Sequence, residues 1–181
     1  MKRYIKSYLV LAFVTILIVG LDQFTKTWIR ANIPLGSSIT PLEEVFPFFK
    51  FVHWYNTGVA FGLFQGFGDF FTVLAILVAI AIIYYYPRVP EQDWTLRLAM
   101  GLQLGGALGN LVDRVTIGHV TDFIAVGNFP VFNIADSSIT VGVGVLVLGM
   151  LIQEQRAKQK AEIEEKKVDP PNEIVNSEGT R

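Results

Sequence analysis

The chain has 181 residues, 51% of them hydrophobic and only 17% charged, with a formal net charge of −1 and a mean hydropathy of +0.44. This is the profile of an integral membrane protein, and the near-neutral charge gives no reason to expect nucleic-acid binding. The chain contains no cysteine, which excludes disulfides, thiolate metal sites and a cysteine nucleophile; its two histidines, His53 and His119, are too few and too separated for a zinc site, so neither metal nor cofactor is expected.

In chain order, a basic start (Lys2, Arg3, Lys6) leads into an apolar run. No small-x-small cleavage pattern follows it, so the segment reads as a retained first helix. Four segments are apolar enough to span a bilayer: Tyr8 to Trp28, Phe70 to Tyr86, Leu96 to Val112 and Asp136 to Ile152, each near the ~20 residues needed to cross hydrocarbon. Residues 31–68 are not helical, because Pro34, Pro41 and Pro47 interrupt them. The aromatic run Phe46 to Tyr55 is strand-like and suggests a small sheet at the membrane surface, with Phe48, Phe49, Phe51, Trp54 and Tyr55 at headgroup level. The tail from Gln153 to Arg181 alternates charged and small polar residues and reads as a helix extension fraying into disorder. The expected organisation is therefore a membrane domain over residues 1–152, with an outer insertion at about 31–68, followed by a charged cytoplasmic tail over 153–181. Lys2, Arg3, Lys6, Arg88, Arg97, Arg156, Lys158 and Lys160 set both termini on the cytoplasmic side.

In that orientation Asp22, Asp113, Asp122 and Asp136 all fall at the outer ends of spans or in outer loops. Carboxylates are costly near hydrocarbon and persist there when paired or used. Asp22 and Lys26 are spaced i, i+4, which on spacing alone favours a salt bridge. Gly101, Gly105 and Gly109 share one face of the third span, most simply a close helix-packing stripe. Asn110, Asp113 and Arg114 gather at the outer end of that span, where three polar groups need partners. Asn56-Thr57-Gly58 is a turn signal. Asn133 and Asp136 open the fourth span as an N-cap and its N3 acid, a role that does not exclude chemistry. Asp122 lies in a short outer connection among Val120, Phe123 and Ile124, an apolar setting that favours its neutral form. Two carboxyls whose surroundings pull their proton affinities apart make an acid and base pair, so a membrane aspartyl peptidase is the first hypothesis. A proton- or cation-coupled carrier is the main rival, although carriers place their acids near the midplane and often show repeated halves. A scaffold using the glycine face and the tail would leave the polar cluster without a purpose.

Five stretches, taken together, resemble one family, the lipoprotein signal peptidases or signal peptidase II. They are Asp22-Gln-Phe-Thr-Lys26, Asn56-Thr-Gly-Val-Ala-Phe61, Gly105-Gly-Ala-Leu-Gly-Asn-Leu-Val-Asp-Arg114, Val120-Thr-Asp-Phe123 and Phe132-Asn-Ile-Ala-Asp136, in the family's order. The resemblance implies a bacterial inner-membrane enzyme with an all-α core of four transmembrane helices, an extracytoplasmic β-cradle and an outer interfacial helix or loop. It further implies removal of signal peptides from prolipoproteins just before a diacylglyceryl-modified cysteine, by a monomer among membrane lipids. By the same resemblance Asp122 and Asp136 are the catalytic pair. Asp22, Lys26, Asn56, Gly58, Asn110, Asp113, Arg114 and Asn133 would support the site, with no metal.

Overall fold

A computed structural model describes residues 2–58 and 66–168. Val59 to Phe61, the end of one of the five stretches, and the tail beyond Val168 lie outside the described residues. Four helices carry the fold: α1 (Lys2–Asn32), α2 (Gly68–Tyr85), α3 (Trp94–Ile117) and α4 (Ile134–Val168). A three-stranded antiparallel sheet, β1 (Ser38–Ile39), β2 (Phe49–Asn56) and β3 (Val120–Val126), sits at one end of them in the order β1-β2-β3.

Among the described residues, three helical segments are long and apolar enough to cross a membrane: Tyr8–Asn32, Gly68–Arg88 and Ile134–Ala161. Their outward side chains cannot be facing water. Phe13 and Phe24 are 69% and 71% exposed, and Ile16 is 70% exposed, far more apolar surface than a soluble monomer leaves open. The expected third span, Leu96 to Val112, lies inside α3, whose 24 residues suffice in length. Arg97, Gln103, Asn110, Asp113 and Arg114 keep that helix out of the set chosen by apolarity.

α3 is the hub, and small residues make it so. A Cβ on Gly101 would meet Val14, on Gly105 Ile18, and on Gly109 Asp22. Both partners advance by four residues together, so α1 and α3 run parallel in close contact along the glycine stripe, as the spacing predicts. The opposite side of α3 meets α4 in the reverse sense, Gly106 against Ala135 and Ser138, and Gly149 against Thr95. α2 packs along α3, and Ala79, Ile82 and Tyr86, the last just past its end, form a buried cluster with Leu11 of α1 and Leu104 of α3. α3 starts at Asp93, whose side chain accepts from Leu96 N at 3.2 Å. It ends at Gly118, which takes the left-handed φ of +79° that a side chain would resist.

One expectation changes here and two gain detail. The helix extension expected from Gln153 is the continuation of α4, which runs unbroken to Val168. The connection holding Asp122 is not a simple loop. It is strand β3, paired with β2 so that Trp54 faces Asp122 and Asn56 faces Val120. After β3 the chain turns back through Gly127, and Phe132 bridges Ile124, so this outer connection to α4 is a loop rather than a helix. Sheet and helix ends share one apolar cluster in which Ile29, Ile33 and Phe123 are buried and Phe51 packs against them.

Candidate active site

The innermost layer of the site is a buried charge cluster built from one stripe of α1. Asp22, Lys26 and Ile33 are buried on that stripe, and Arg30 continues it. Lys26 is fully buried, and its Nζ lies 2.8 Å from Asp22 Oδ2, 3.2 Å from Asp113 Oδ2 and 2.9 Å from Asn110 Oδ1. An ammonium has three protons to donate, so these contacts saturate it. Asp22 also accepts from Ala135 N at 3.0 Å, which ties α1 to the start of α4. Asp113 accepts from Thr121 N at 3.0 Å and from Arg30 at 3.3 Å, which ties α3 to β3. The Asp22–Lys26 pair expected from spacing is present, but it is a deep junction of four elements rather than an interfacial bridge.

Resting on this cluster is an amide layer that carries the other two carboxyls. Asn110 turns its Oδ1 toward Lys26 and donates from Nδ2 to Asp136 Oδ1 at 2.8 Å. Asn133 donates from Nδ2 to Asp122 Oδ1 at 2.8 Å, accepts from Asp136 N at 3.0 Å, and donates its own backbone N–H to Asp136 Oδ2 at 3.2 Å. This reciprocal pattern is a capping box opening α4. Asn56 completes the layer from β2: Gly58 N donates to its Oδ1 at 2.9 Å, so its Nδ2 is left to donate to Asp122 Oδ2 at 2.8 Å. One asparagine, Asn133, therefore touches both carboxyls.

Asp122 and Asp136 open onto a common cavity of about 140 Å³, lined also by Asn56, Gly58, Asn110, Arg114 and Phe132. That volume holds a few water-sized groups. Asp122 is buried and its pKa is pushed up to about 7, first by burial and next by the negative charge of Asp136, against the opposing donors Asn56 and Asn133. Arg114 lines the same cavity with its guanidinium 5.8 Å from the centre of the Phe71 ring, and its side chain shares no ion pair or hydrogen bond with the other described residues. A second groove, about 370 Å³, descends between α2, α3 and α4 from the same Asn110, Arg114 and Asp136.

All ten residues singled out from sequence thus gather at one end of the helices, in two layers. Gln23, Arg30 and Thr121 were not singled out. Gln23 Nε2 donates to Gly109 O and Asp113 Oδ1, and Arg30 donates to Thr121 Oγ1 at 3.0 Å. The i, i+4, i+8 run of Asp22, Lys26 and Arg30 was the signal that could have found Arg30. His53 and His119 lie in the sheet region apart from the catalytic-pair candidates, with the Tyr55 and His119 rings 3.8 Å apart between centroids and tilted by 40°.

Apolar helices capped by a small sheet, with two amide-held carboxyls at the junction, define a membrane-protein class whose polar chemistry sits at the helix ends. The profile of the Signal peptidase (SPase) II family matches residues 14–152, and the chain belongs to that family. It is 41% identical over 147 residues to the lipoprotein signal peptidase of Shouchella clausii, covering 81% of this chain and 95% of that one. To the lipoprotein signal peptidase of Bacillus subtilis it is 40% identical over 151 residues, covering 81% and 96%. A bacterial membrane enzyme solved by the in meso method at 2.3 Å resolution superposes with a TM-score of 0.69 at 34% identity, over 83% of this chain and 90% of that chain.

Proposed function

We propose that Asp122 and Asp136 are the catalytic pair of an aspartyl endopeptidase that removes signal peptides from prolipoproteins immediately before the diacylglyceryl-modified cysteine. Membership of the signal peptidase II family makes the protein a peptidase of prolipoproteins. The assignment of the chemistry to these two side chains rests on one observation above all: Asn133 is hydrogen-bonded to both, at the wall of a cavity both line.

The pair divides the work unequally. Asp136 accepts from two N–H donors at the start of α4, where the helix dipole favours an anion, and serves as the base that takes a proton from water. The hydroxide attacks the scissile carbonyl. Asp122, held protonated up to about pH 7 by its burial, donates to the carbonyl oxygen and supports the tetrahedral intermediate. Collapse breaks the C–N bond, and the proton taken from water goes to the leaving amine of the cysteine. Arg114, lining the same cavity, offsets the pair's negative charge. Asn56, Gly58, Asn110 and Asn133 orient the carboxyls, while Asp22, Lys26 and Asp113 hold the elements that carry them.

In this reading α3 spans with the other three, giving four spans, both termini in the cytoplasm and the site under the outer face of the inner membrane. Its running parallel to α1 and antiparallel to α4 supports this arrangement. Residues 1–152 make up the peptidase, which acts as a monomer among membrane lipids, and the remainder is a cytoplasmic extension. The test is cleavage of a purified lipid-modified precursor, with the product located by mass spectrometry. Asp122→Asn and Asp136→Asn each reduce turnover by at least roughly 10²–10⁴-fold while the protein stays inserted and folded. Near-normal turnover in either variant, or a cut elsewhere than before the lipidated cysteine, overturns the assignment.

A further inference from the structure

Gln103 is a polar side chain that neither the charge cluster nor the carboxyl pair uses. It sits near the middle of α3, seven residues before Asn110, and lines the groove that descends from Asp136 between α2 and α4. Seven residues are nearly two full helical turns, so Gln103 lies on the same face as Asn110 and about 10 Å further toward the midplane. The groove around it is apolar, walled by Leu74, Val78, Ala107, Ile139 and Val143. Its stem is held against α4, since a Cβ on Gly142 would come 3.1 Å from Gln103 Cγ. Its amide makes no hydrogen bond with any of the described residues, unlike Asn110 on the same face. A primary amide at this depth in apolar surroundings is costly unless a partner arrives.

We infer that Gln103 reads the main chain of the signal segment about three residues upstream of the cleaved bond. The inference rests on the peptidase reading of the cavity above. The groove shares Asn110, Arg114 and Asp136 with that cavity, so whatever lies in it is continuous with the reacting bond. The segment upstream of a signal-peptide cleavage site is apolar, so the polar groups it brings are those of its backbone. A helix satisfies those groups internally, but the bond to be cut must be drawn out of a helix for water to reach its carbonyl. The neighbouring N–H and C=O groups are then stranded in hydrocarbon, at several kcal/mol each in the absence of a partner. A glutamine amide presents one acceptor and two donors side by side, the complement of one residue's N–H and C=O. At ~3.3 Å per extended residue, the ~10 Å between Asn110 and Gln103 corresponds to the third residue from the bond.

The test uses lipid-modified precursors in which a single backbone amide two to four residues upstream of the cut is replaced by an ester, which removes the N–H. For the native enzyme, the ester at about the third position lowers kcat/KM roughly fivefold to tenfold, the worth of one hydrogen bond. Gln103→Leu, similar in volume and more apolar, loses a similar factor with the all-amide precursor and nothing further with the ester. Gln103→Met repeats the result should the leucine variant insert poorly. An equal ester loss in native and variant enzymes overturns the inference, and so does a Gln103→Leu enzyme with native kcat/KM. A groove filled by a membrane lipid would give no ester effect in either enzyme, which also overturns it. Because the native enzyme cuts and Asp136→Asn does not, any of these outcomes leaves the catalytic pair standing.

Discussion

Replacing Lys26 by methionine tests whether the buried cluster holds the site together. The ammonium is fully buried and is the shared partner of Asp22, Asp113 and Asn110. Methionine fills much of its volume but leaves two carboxylates behind. Asp113 keeps Arg30 at 3.3 Å and the Thr121 N–H. Asp22 keeps only the neutral donors Ala135 N and Gln23, and so becomes the uncompensated charge. Breaking a buried pair from one side costs about 3–5 kcal/mol, roughly a hundred- to several-thousand-fold in the folding equilibrium. For a chain of this size that is a fall in melting temperature of roughly 6–20 °C. The assay is thermal unfolding in detergent or nanodiscs, followed by the intrinsic fluorescence of Trp28, Trp54 and Trp94. The double variant Asp22→Asn/Lys26→Met removes the stranded charge and should recover more than half of the loss. A Lys26→Met protein that melts within about 2 °C of the native one, or a double variant no better than the single, would refute the reasoning.

Other outcomes follow from the same geometry. With Asp122 needed as its acid, kcat/KM should fall as pH rises through about 7. Asn56→Leu removes a hydrogen bond that favours the carboxylate, so the alkaline limb should move upward; a pH profile with the limb unmoved or moved down counts against the acid role. The same group affects stability with a definite sign. Its folded pKa is raised above the ordinary 3.8, so between about pH 4 and 7 the folded state holds a proton that the unfolded state has released. Its contribution to stability therefore declines as pH rises through that window. Asp122→Asn should flatten this part of a melting-versus-pH curve, and an unchanged slope would show that Asp122 does not titrate there. Gly106→Ala should cost about 1–3 kcal/mol, because its Cβ would come 2.6 Å from Ser138 Oγ and from Ile139, measured as lost thermal stability with the catalytic residues untouched.

Helical spacing made much of this legible. The glycine stripe fixed the α1–α3 contact because a four-residue repeat lands on one face in any helix. Asp22–Lys26 and Asn110–Asp113–Arg114 were legible for the same reason. What escaped was long-range pairing. Nothing local in Val120 to Val126 announces that the segment pairs with β2, since that depends on a partner some seventy residues earlier. Its apolar run therefore passed for a connection. Arg30 and Thr121 escaped because their importance lies in meeting Asp113 across three elements. The continuation of α4 beyond Ile152 was legible for a different reason. Lys, Glu, Gln and Ala are good helix formers whatever solvates them, and the Glu154–Lys158 pair at 2.7 Å adds i, i+4 support.

The asparagines show how an ordinary structural role can coexist with a catalytic one. In Asn133 the oxygen is committed to the Asp136 N–H as a helix cap, and in Asn56 the oxygen is committed to the Gly58 N–H as a turn. Each local bond fixes the flip of its amide, and each therefore leaves an NH₂ aimed at one oxygen of Asp122. Capping and chemistry can be separated by Asn133→Asp. Aspartate caps a helix as well as asparagine does, so the start of α4 should survive. The group facing Asp122, however, changes from a donor into a second acceptor with negative charge. Losing a buried hydrogen bond in this way should lower kcat/KM by at least roughly tenfold to a hundredfold, with the circular dichroism of the helices unchanged. An Asn133→Asp enzyme that cleaves at the native rate would mean that Asn133 only caps.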